Sequence, residues 1–307
     1  VAYGSGTGSP TAHQVFFENL HVHKRLKGIS STTYIKMMSH TCVANLGNFF
    51  KVKGRIIPTC SACTSGSQGI GYAYESIKYG QQNLMIAGGA EELSVSEAVM
   101  FDVLYATSTK NKNPKQTPAP FDKNRDGVVI GEGAATLILE NLESAQERGA
   151  AIYAELVGYG ANSDGEHLTA PAVSGMKKAM LLALEDANLT PEAIGYVNAH
   201  GTATEVGDIA ESEATWLVFG EHIPISSLKG HIGHTMGGCG ALETWMTLHM
   251  ARENWFAPTL NLNEVDPLCS SIDYIKVEGR QLDVEYMMCN NFAFGGVNTS
   301  LIFKKLV

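Results

Sequence analysis

No stretch of the chain approaches the ~20 consecutive apolar residues that span a bilayer, and no signal-peptide pattern opens it. Positive charge is scarce. The 22 Lys and Arg stand against 31 Asp and Glu, a net charge of −9, so the global charge carries no footprint for nucleic acid. Cysteine is sparse and scattered, with six in 307 residues. That fits a reducing compartment better than a disulfide framework, and the expectation is a cytoplasmic protein. What the chain does have is 44% hydrophobic residues and 32 glycines. These suffice for a large core with many turns and close backbone approaches.

The richest stretch is Arg55–Tyr79, RIIPTCSACTSGSQGIGYAYESIKY. An apolar run ends near Pro58, small polar residues follow, and Ile70, Tyr74 and Ile77 then recur at helical spacing. This predicts strand, tight turn and helix, with Cys63 at the turn. Backbone N–H donors and the positive end of the helix would favour its thiolate, as in a nucleophile elbow with Cys in place of Ser. Three plainer readings stand beside it. A free cysteine is usually a small buried hydrophobe. Cys60 and Cys63 form a C-x-x-C pair suited to zinc or to redox chemistry. Zinc needs a second pair, yet Cys42, Cys239, Cys269 and Cys289 are isolated. A redox pair wants exposure, whereas Cys60 reads as continuing an apolar strand.

Along the chain, Val1-Ala2-Tyr3 reads as the end of a strand entering the turn Gly4–Gly8, so the true N-terminus is expected to lie further upstream. That glycine-rich turn lacks the phosphate-loop pattern. Helices are expected over 11–20, 37–50, 95–104, 142–148, 175–187 and 241–252. Strands are expected over 83–89, 134–139, 153–159, 195–199, 223–227, 286–291 and 299–303. Strands alternating with helices argue for an α/β layered fold with a largely parallel sheet. The strand, glycine-rich turn and helix around Lys229–Arg252 echo those around Cys63. The expectation is two similar halves, 1–150 carrying the cysteine and 151–307 carrying histidines, with a site between them.

Three stretches offer partners for Cys63: VNAHGTAT with His200, KGHIGHTMGGCG with Lys229, His231 and His234, and NNFAFGGVN with Phe294 before a double glycine. His231 and His234 also form an H-x-x-H pair that zinc could use, but no third ligand stands at suitable spacing.

Taken together, T-x-x-A-C-T-S-G at Cys63, N-A-H-G-T at His200, K-x-x-x-G-H-x-x-G from Lys229 and N-x-F-x-F-G-G-x-N near the end resemble the elongating β-ketoacyl-[acyl-carrier-protein] synthases. The resemblance runs from Gly4 to Lys305. It implies a thiolase-like, five-layered α-β-α-β-α fold of pseudo-duplicated halves. It also implies decarboxylative condensation of an acyl group on Cys63 with a malonyl thioester, in fatty acid or polyketide elongation. By the same resemblance, His200 and His234 complete a Cys-His-His triad, and Lys229 supports it with Glu211 as charge partner. Phe294 is the gate, and the backbone N–H groups of Cys63 and Phe294 form the oxyanion hole. Thr202, Thr204, Thr169, Val128 and Phe292 line the substrate pocket.

No cofactor or catalytic metal is implied, although a structural monovalent cation is, near Asn198, Glu243 and Asn290. The partners implied are acyl-carrier protein and a second subunit, as homodimer or heterodimer, with no nucleic acid or membrane. Basic candidates for carrier docking are Lys24, Arg25 and Lys27, with Lys110, Lys112 and Lys115. The family carries roughly a hundred more N-terminal residues. Val128 stands where many members have Phe, and His231 where many have a neutral residue. A chain-length-factor-like partner subunit is the alternative, and such subunits usually lose the cysteine. Thiolases, with a second catalytic cysteine, and initiating synthases, with Asn as third catalytic residue, match less well.

Overall fold

The structure, a computed structural model, describes residues 1–306. Two sheets divide the chain between Glu140 and Ala154. The first runs Ile57–Thr59, Ala2–Gly4, Leu84–Glu91, Gly133–Glu140, parallel except for the last strand. The second runs Asp273–Tyr274, Pro224–Ser226, Ile194–Asn198, Tyr286–Ala293, Val297–Lys305, Ala154–Ser163, with Val297–Lys305 antiparallel to both neighbours. Pro224–Ser226, Ile194–Asn198, Tyr286–Ala293 and Val297–Lys305 repeat the order and sense of the first sheet. The echo in the sequence is therefore a repeat of topology.

Helices Ser65–Lys78 and Cys239–Arg252 lie between the sheets and touch both. Helix Thr41–Phe49 covers the outer face of the first sheet. Val173–Ala187, with Glu205–Phe219 beside it, covers the second. That makes five layers. Strands buried on both faces read as continuous apolar runs rather than alternating ones. Met287 and Leu301 join the inner cluster with Ile70, Ala241 and Leu248. Their neighbours Met288 and Ile302 join the outer one with Met180 and Leu184.

The two central helices cross where side chains are absent. A Cβ on Gly66 would sit 3.0 Å from the Gly237 carbonyl, and one on Gly240 would sit 2.8 Å from the Ser67 backbone N–H. Small residues at these crossings let the Cys63 turn and the His234 turn approach each other.

Several expectations need correction. The helix expected over 37–50 is two, Ser31–Met37 and Thr41–Phe49, with Met38 extended between them. The helix expected over 11–20 ends at Phe17 and passes into a π turn, Glu18–Val22. The glycine-rich turn after Lys229 contains a helical turn, Lys229–Ile232. The largest omission is Glu205–Phe219, where no element was expected. Its inward face buries Asp208, Glu211 and Ser212 among the alanines, so the apolar period that marks a helix is broken by polar groups with structural work. Strand Ile57–Thr59 stops before Cys60, which is exposed.

The Gly4–Gly8 turn is held by a carboxylate from within the chain. Glu91 accepts from Gly6 N–H at 2.6 Å, Thr7 N–H at 3.4 Å, Ser5 Oγ at 3.2 Å and, across the halves, Gly237 N–H at 2.9 Å. Replacing Glu91 with Ala strands these donors. The expected loss is at least ~2 kcal/mol of unfolding free energy, measured by urea denaturation; an unchanged midpoint would contradict this reading of the turn.

Candidate active site

Cys63 sits two residues before helix Ser65–Lys78. Ala62 has left-handed backbone, φ +49°, a conformation that costs a non-glycine residue about 1–3 kcal/mol and turns the chain sharply. Ser65 fixes the turn: its Oγ accepts from Ser61 N–H at 2.9 Å and donates to Ala62 O at 2.7 Å. The position of Cys63 is thus set by local side chains.

The His200 turn is held by the helix that follows it. Glu211 accepts from His200 N–H at 2.7 Å and Gly201 N–H at 2.6 Å, and Asp208 accepts from Ala203 N–H at 3.1 Å. Buried Arg125 donates to Thr204 O at 3.2 Å and to Asp266 at 2.5 Å. Burial pushes the Glu211 carboxyl up to about 8, against the pull of these N–H groups.

The charge partner of Lys229 is Glu243, in a buried ion pair, and not Glu211. Glu211 faces the backbone of the turn instead. Lys229 Nζ also lies 3.2 Å from His200 Nδ1. Burial works against the ammonium, but Glu243, with smaller contributions from Cys239 and Glu211, holds the lysine pKa above its ordinary value. An ammonium can only donate, so His200 Nδ1 accepts and its proton resides on Nε2.

His234 Nε2 lies 2.9 Å from Cys63 Sγ, and the two imidazole rings stand 5.2 Å apart and nearly perpendicular. Burial, reinforced by the charge of Lys229, holds both imidazoles well below the ordinary histidine range. Both are neutral near pH 7. Burial also pushes the Cys63 thiol up to about 12, although Lys229 pulls the other way. The expected resting thiolate is therefore corrected to a thiol paired with a neutral imidazole. One helix terminus does not offset complete burial.

A cavity of about 390 Å³ opens onto Cys63, His200 and His234. Val128, Thr169, Thr202, Thr204, Glu211, Phe292 and Phe294 line it too. Thr202 and Thr204 pair through their hydroxyls at 2.9 Å, Thr169 is exposed at the mouth, and the Phe292 ring lies 6.2 Å from His200. Phe294 stacks on Phe101 at 5.3 Å in a small cluster with Val128 and Met236. Among the described residues, neither the Cys63 nor the Phe294 N–H donates to a backbone carbonyl.

Of the remaining candidates, His231 is exposed and its Nε2 meets Pro258 O at 2.9 Å, so it neither perturbs His234 nor forms a metal pair with it. Asn198, Glu243 and Asn290 are buried behind the site. The Glu243 oxygens are taken by Lys229 and Asn291, and Asn290 Oδ1 by Ser300, leaving the buried amide oxygens of Asn198 and Asn291 without partners. Two free oxygens fall short of the roughly six or more that a hard cation takes, and no chemistry here is routed through one. Sequence reasoning passed over Asn291, Cys239 and Phe101. Asn291 and Cys239 lie inside motifs it quoted. Phe101 carries no motif signal.

The fold and this constellation define a thiol acyltransferase built on two repeated α/β halves. Family models for the N-terminal and C-terminal domains of beta-ketoacyl synthase match residues 1–145 and 153–263. The chain is 40% identical over 307 residues to 3-oxoacyl-[acyl-carrier-protein] synthase 1 of Haemophilus influenzae, covering 99% of this chain and 75% of the relative. A crystal structure of a beta-ketoacyl synthase from Burkholderia phymatum superposes with TM-score 0.97 at 58% identity, over 100% of this chain and 75% of that one. A ketosynthase bound to the hexaketide, in complex with its type II polyketide acyl-carrier protein, superposes with TM-score 0.92 at 28% identity, over 100% of this chain and 78% of that one. The chain belongs to the β-ketoacyl synthase family.

The buried thiol has a measurable signature. Cys63 alkylation by iodoacetamide should keep accelerating from about pH 7 to about pH 9, because the thiolate fraction is still rising. A flat profile would indicate a preformed thiolate. Exposed Cys60 should be labelled as well, so assignment to Cys63 requires peptide mapping.

Proposed function

We propose that this chain carries out decarboxylative condensation. It takes an acyl group onto Cys63 and joins it to the two-carbon unit of a malonyl thioester, giving a β-ketoacyl thioester on acyl-carrier protein. The observation that carries the reading is the convergence of one thiol and two neutral imidazoles on a single cavity. Residues 1–150 act as the half bearing the nucleophile and 151–307 as the half bearing the imidazoles.

In the first step Cys63 Sγ attacks the acyl thioester carbonyl and the bond to the carrier sulfur breaks. The thiol proton passes through His234 Nε2, 2.9 Å away, to the departing sulfur, so His234 ends neutral. In the second, the malonyl carbon–carbon bond breaks, carbon dioxide leaves, and its electron pair delocalises onto the thioester oxygen. With Cys63 acylated, His234 Nε2 no longer accepts from a thiol, and its proton shifts from the unpartnered Nδ1 to Nε2; the Nε2–H groups of His200 and His234 then stabilise that enolate where its charge develops. In the third, the carbanion attacks acyl-Cys63. The Cys63 and Phe294 N–H groups hold the oxyanion, and Cys63 leaves as thiolate. The thiolate then takes a proton from solvent, readily so for a thiol pushed up to about 12.

The imidazoles thereby divide their work. In the full-length protein His200→Ala should lower carbon dioxide release from malonyl-carrier protein at least ~100-fold while Cys63 is still acylated. His234→Ala should slow both half-reactions. A folded His200→Ala protein that decarboxylates at the parent rate would sink the reading.

Carrier protein is acidic, so docking draws on local basic groups. Lys24, Arg25 and Lys27 are exposed. Lys110 is tied to Asn124 O at 2.5 Å and lies 3.7 Å from Asp126, which leaves Lys112 and Lys115 as the free groups of that cluster. Reversing Lys24 and Lys27 to Glu should weaken carrier binding ~10-fold and flatten its salt dependence. Unchanged affinity in a salt titration would remove that patch. Assembly as a homodimer or with a second ketosynthase subunit belongs to the same proposal; the open edge of strand Ile57–Thr59 supports it. So does a cytoplasmic location, for which all six cysteines being free speaks. No helix among the described residues is long and apolar enough to cross a membrane.

A further inference from the structure

Cys63 Sγ and ring nitrogens of His200 and His234 all lie within 4.8 Å of one another, at the wall of an open cavity. A soft sulfur and two imidazole nitrogens, with a free position facing solvent, are the ligand set of many zinc sites. By the placement of these three ligand atoms alone, the triad should capture thiophilic divalent cations.

The groups behind His200 have the wrong polarity for that. A histidine that binds metal through one nitrogen carries its proton on the other and donates it to an acceptor. Here Nδ1 faces two donors. One is the Lys229 ammonium at 3.2 Å. The other is Asn291 Nδ2 at 3.4 Å. The orientation of that amide is settled by its other partner: the same nitrogen lies 2.8 Å from Glu243 Oε2, and a carboxylate paired with lysine can only accept. The amide also reaches Cys239 Sγ at 3.6 Å, and Cys239 donates to the Cys63 carbonyl at 3.2 Å. Asn291 thus joins the back of His200 to the back of the nucleophile turn, fully buried.

We propose that Asn291 is a positioning residue that, with Lys229, holds the His200 proton on Nε2, making the triad a donor to an enolate oxygen and a poor ligand set for thiophilic divalent cations. The catalytic half of this rests on the function proposed above; the metal half does not.

The test uses the full-length protein and two substitutions. Asn291→Asp puts an acceptor behind Nδ1 and draws the proton there. Asn291→Ser keeps a donor. Each protein is titrated with cobalt(II), followed by the sulfur-to-cobalt charge-transfer absorption, and is assayed separately for Cys63 acylation and malonyl decarboxylation. Parent and Asn291→Ser should show no charge-transfer band at ~10-fold excess cobalt. Asn291→Asp should show one that disappears when Cys63→Ala is added, with decarboxylation down ~100-fold and acylation retained. Asn291→Ser should stay within ~10-fold of parent.

A charge-transfer band from the parent protein itself would overturn the proposal, and that titration needs no variant to fold. So would decarboxylation by Asn291→Asp at the Asn291→Ser rate. A parent that acylates Cys63 but never decarboxylates malonyl thioester would overturn the function instead, and the cobalt result would then judge this inference alone.

Discussion

The site depends on one buried ion pair. Lys229 and Glu243 are 0% exposed and come from the same turn-helix segment. A buried pair of this kind need not stabilise the fold. Removing one partner, however, strands a charge at a cost of about 3–5 kcal/mol. What the pair supplies here is polarity. An ammonium kept protonated behind His200 dictates which imidazole nitrogen carries the proton, and it helps keep His234 neutral. The rest of the machinery assumes this electrostatic arrangement.

The fold brings that arrangement to Cys63 through its repeat. The functional turns follow the carboxyl ends of parallel strands: Cys63 after Ile57–Thr59, His200 after Ile194–Asn198, Lys229 after Pro224–Ser226. Open α/β sheets place ligands at such ends. Two sheets facing each other across two central helices bring the ends of both halves together. The crossing at Gly66, Gly237 and Gly240 sets how closely they approach. Glu91 then ties the first half's opening turn to Gly237 in the second.

Much of this was legible in the sequence because the turns are chemically loud. Cysteine before a small-residue helix start, and histidines in glycine-rich turns after apolar runs, mark positions where backbone geometry matters more than bulk. What was hidden is instructive. The Glu205–Phe219 helix buries carboxylates toward the His200 turn, so its period is not apolar. Asn291 sits in a quoted motif, but an amide's role depends on which atoms it meets, and those come from His200, Cys239 and Glu243, each distant in the chain. The Cys63 ionisation was misjudged for the same reason: a helix terminus is visible locally, whereas complete burial is a property of the assembled halves. The family resemblance implied Glu211 as the partner of Lys229, and the geometry gives that role to Glu243.

In the reaction proposed above, two neutral imidazoles donate hydrogen bonds to the developing enolate. The most direct measurement is the rate of labelled carbon dioxide release from carboxyl-labelled malonyl-carrier protein by the full-length protein, under saturating conditions, across about pH 6 to about pH 8. Imidazoles held well below their ordinary range stay neutral throughout that window, so the rate should be nearly flat. A rate that falls as pH rises through the ordinary imidazole range would mean that the active donor is an imidazolium, and would contradict the account.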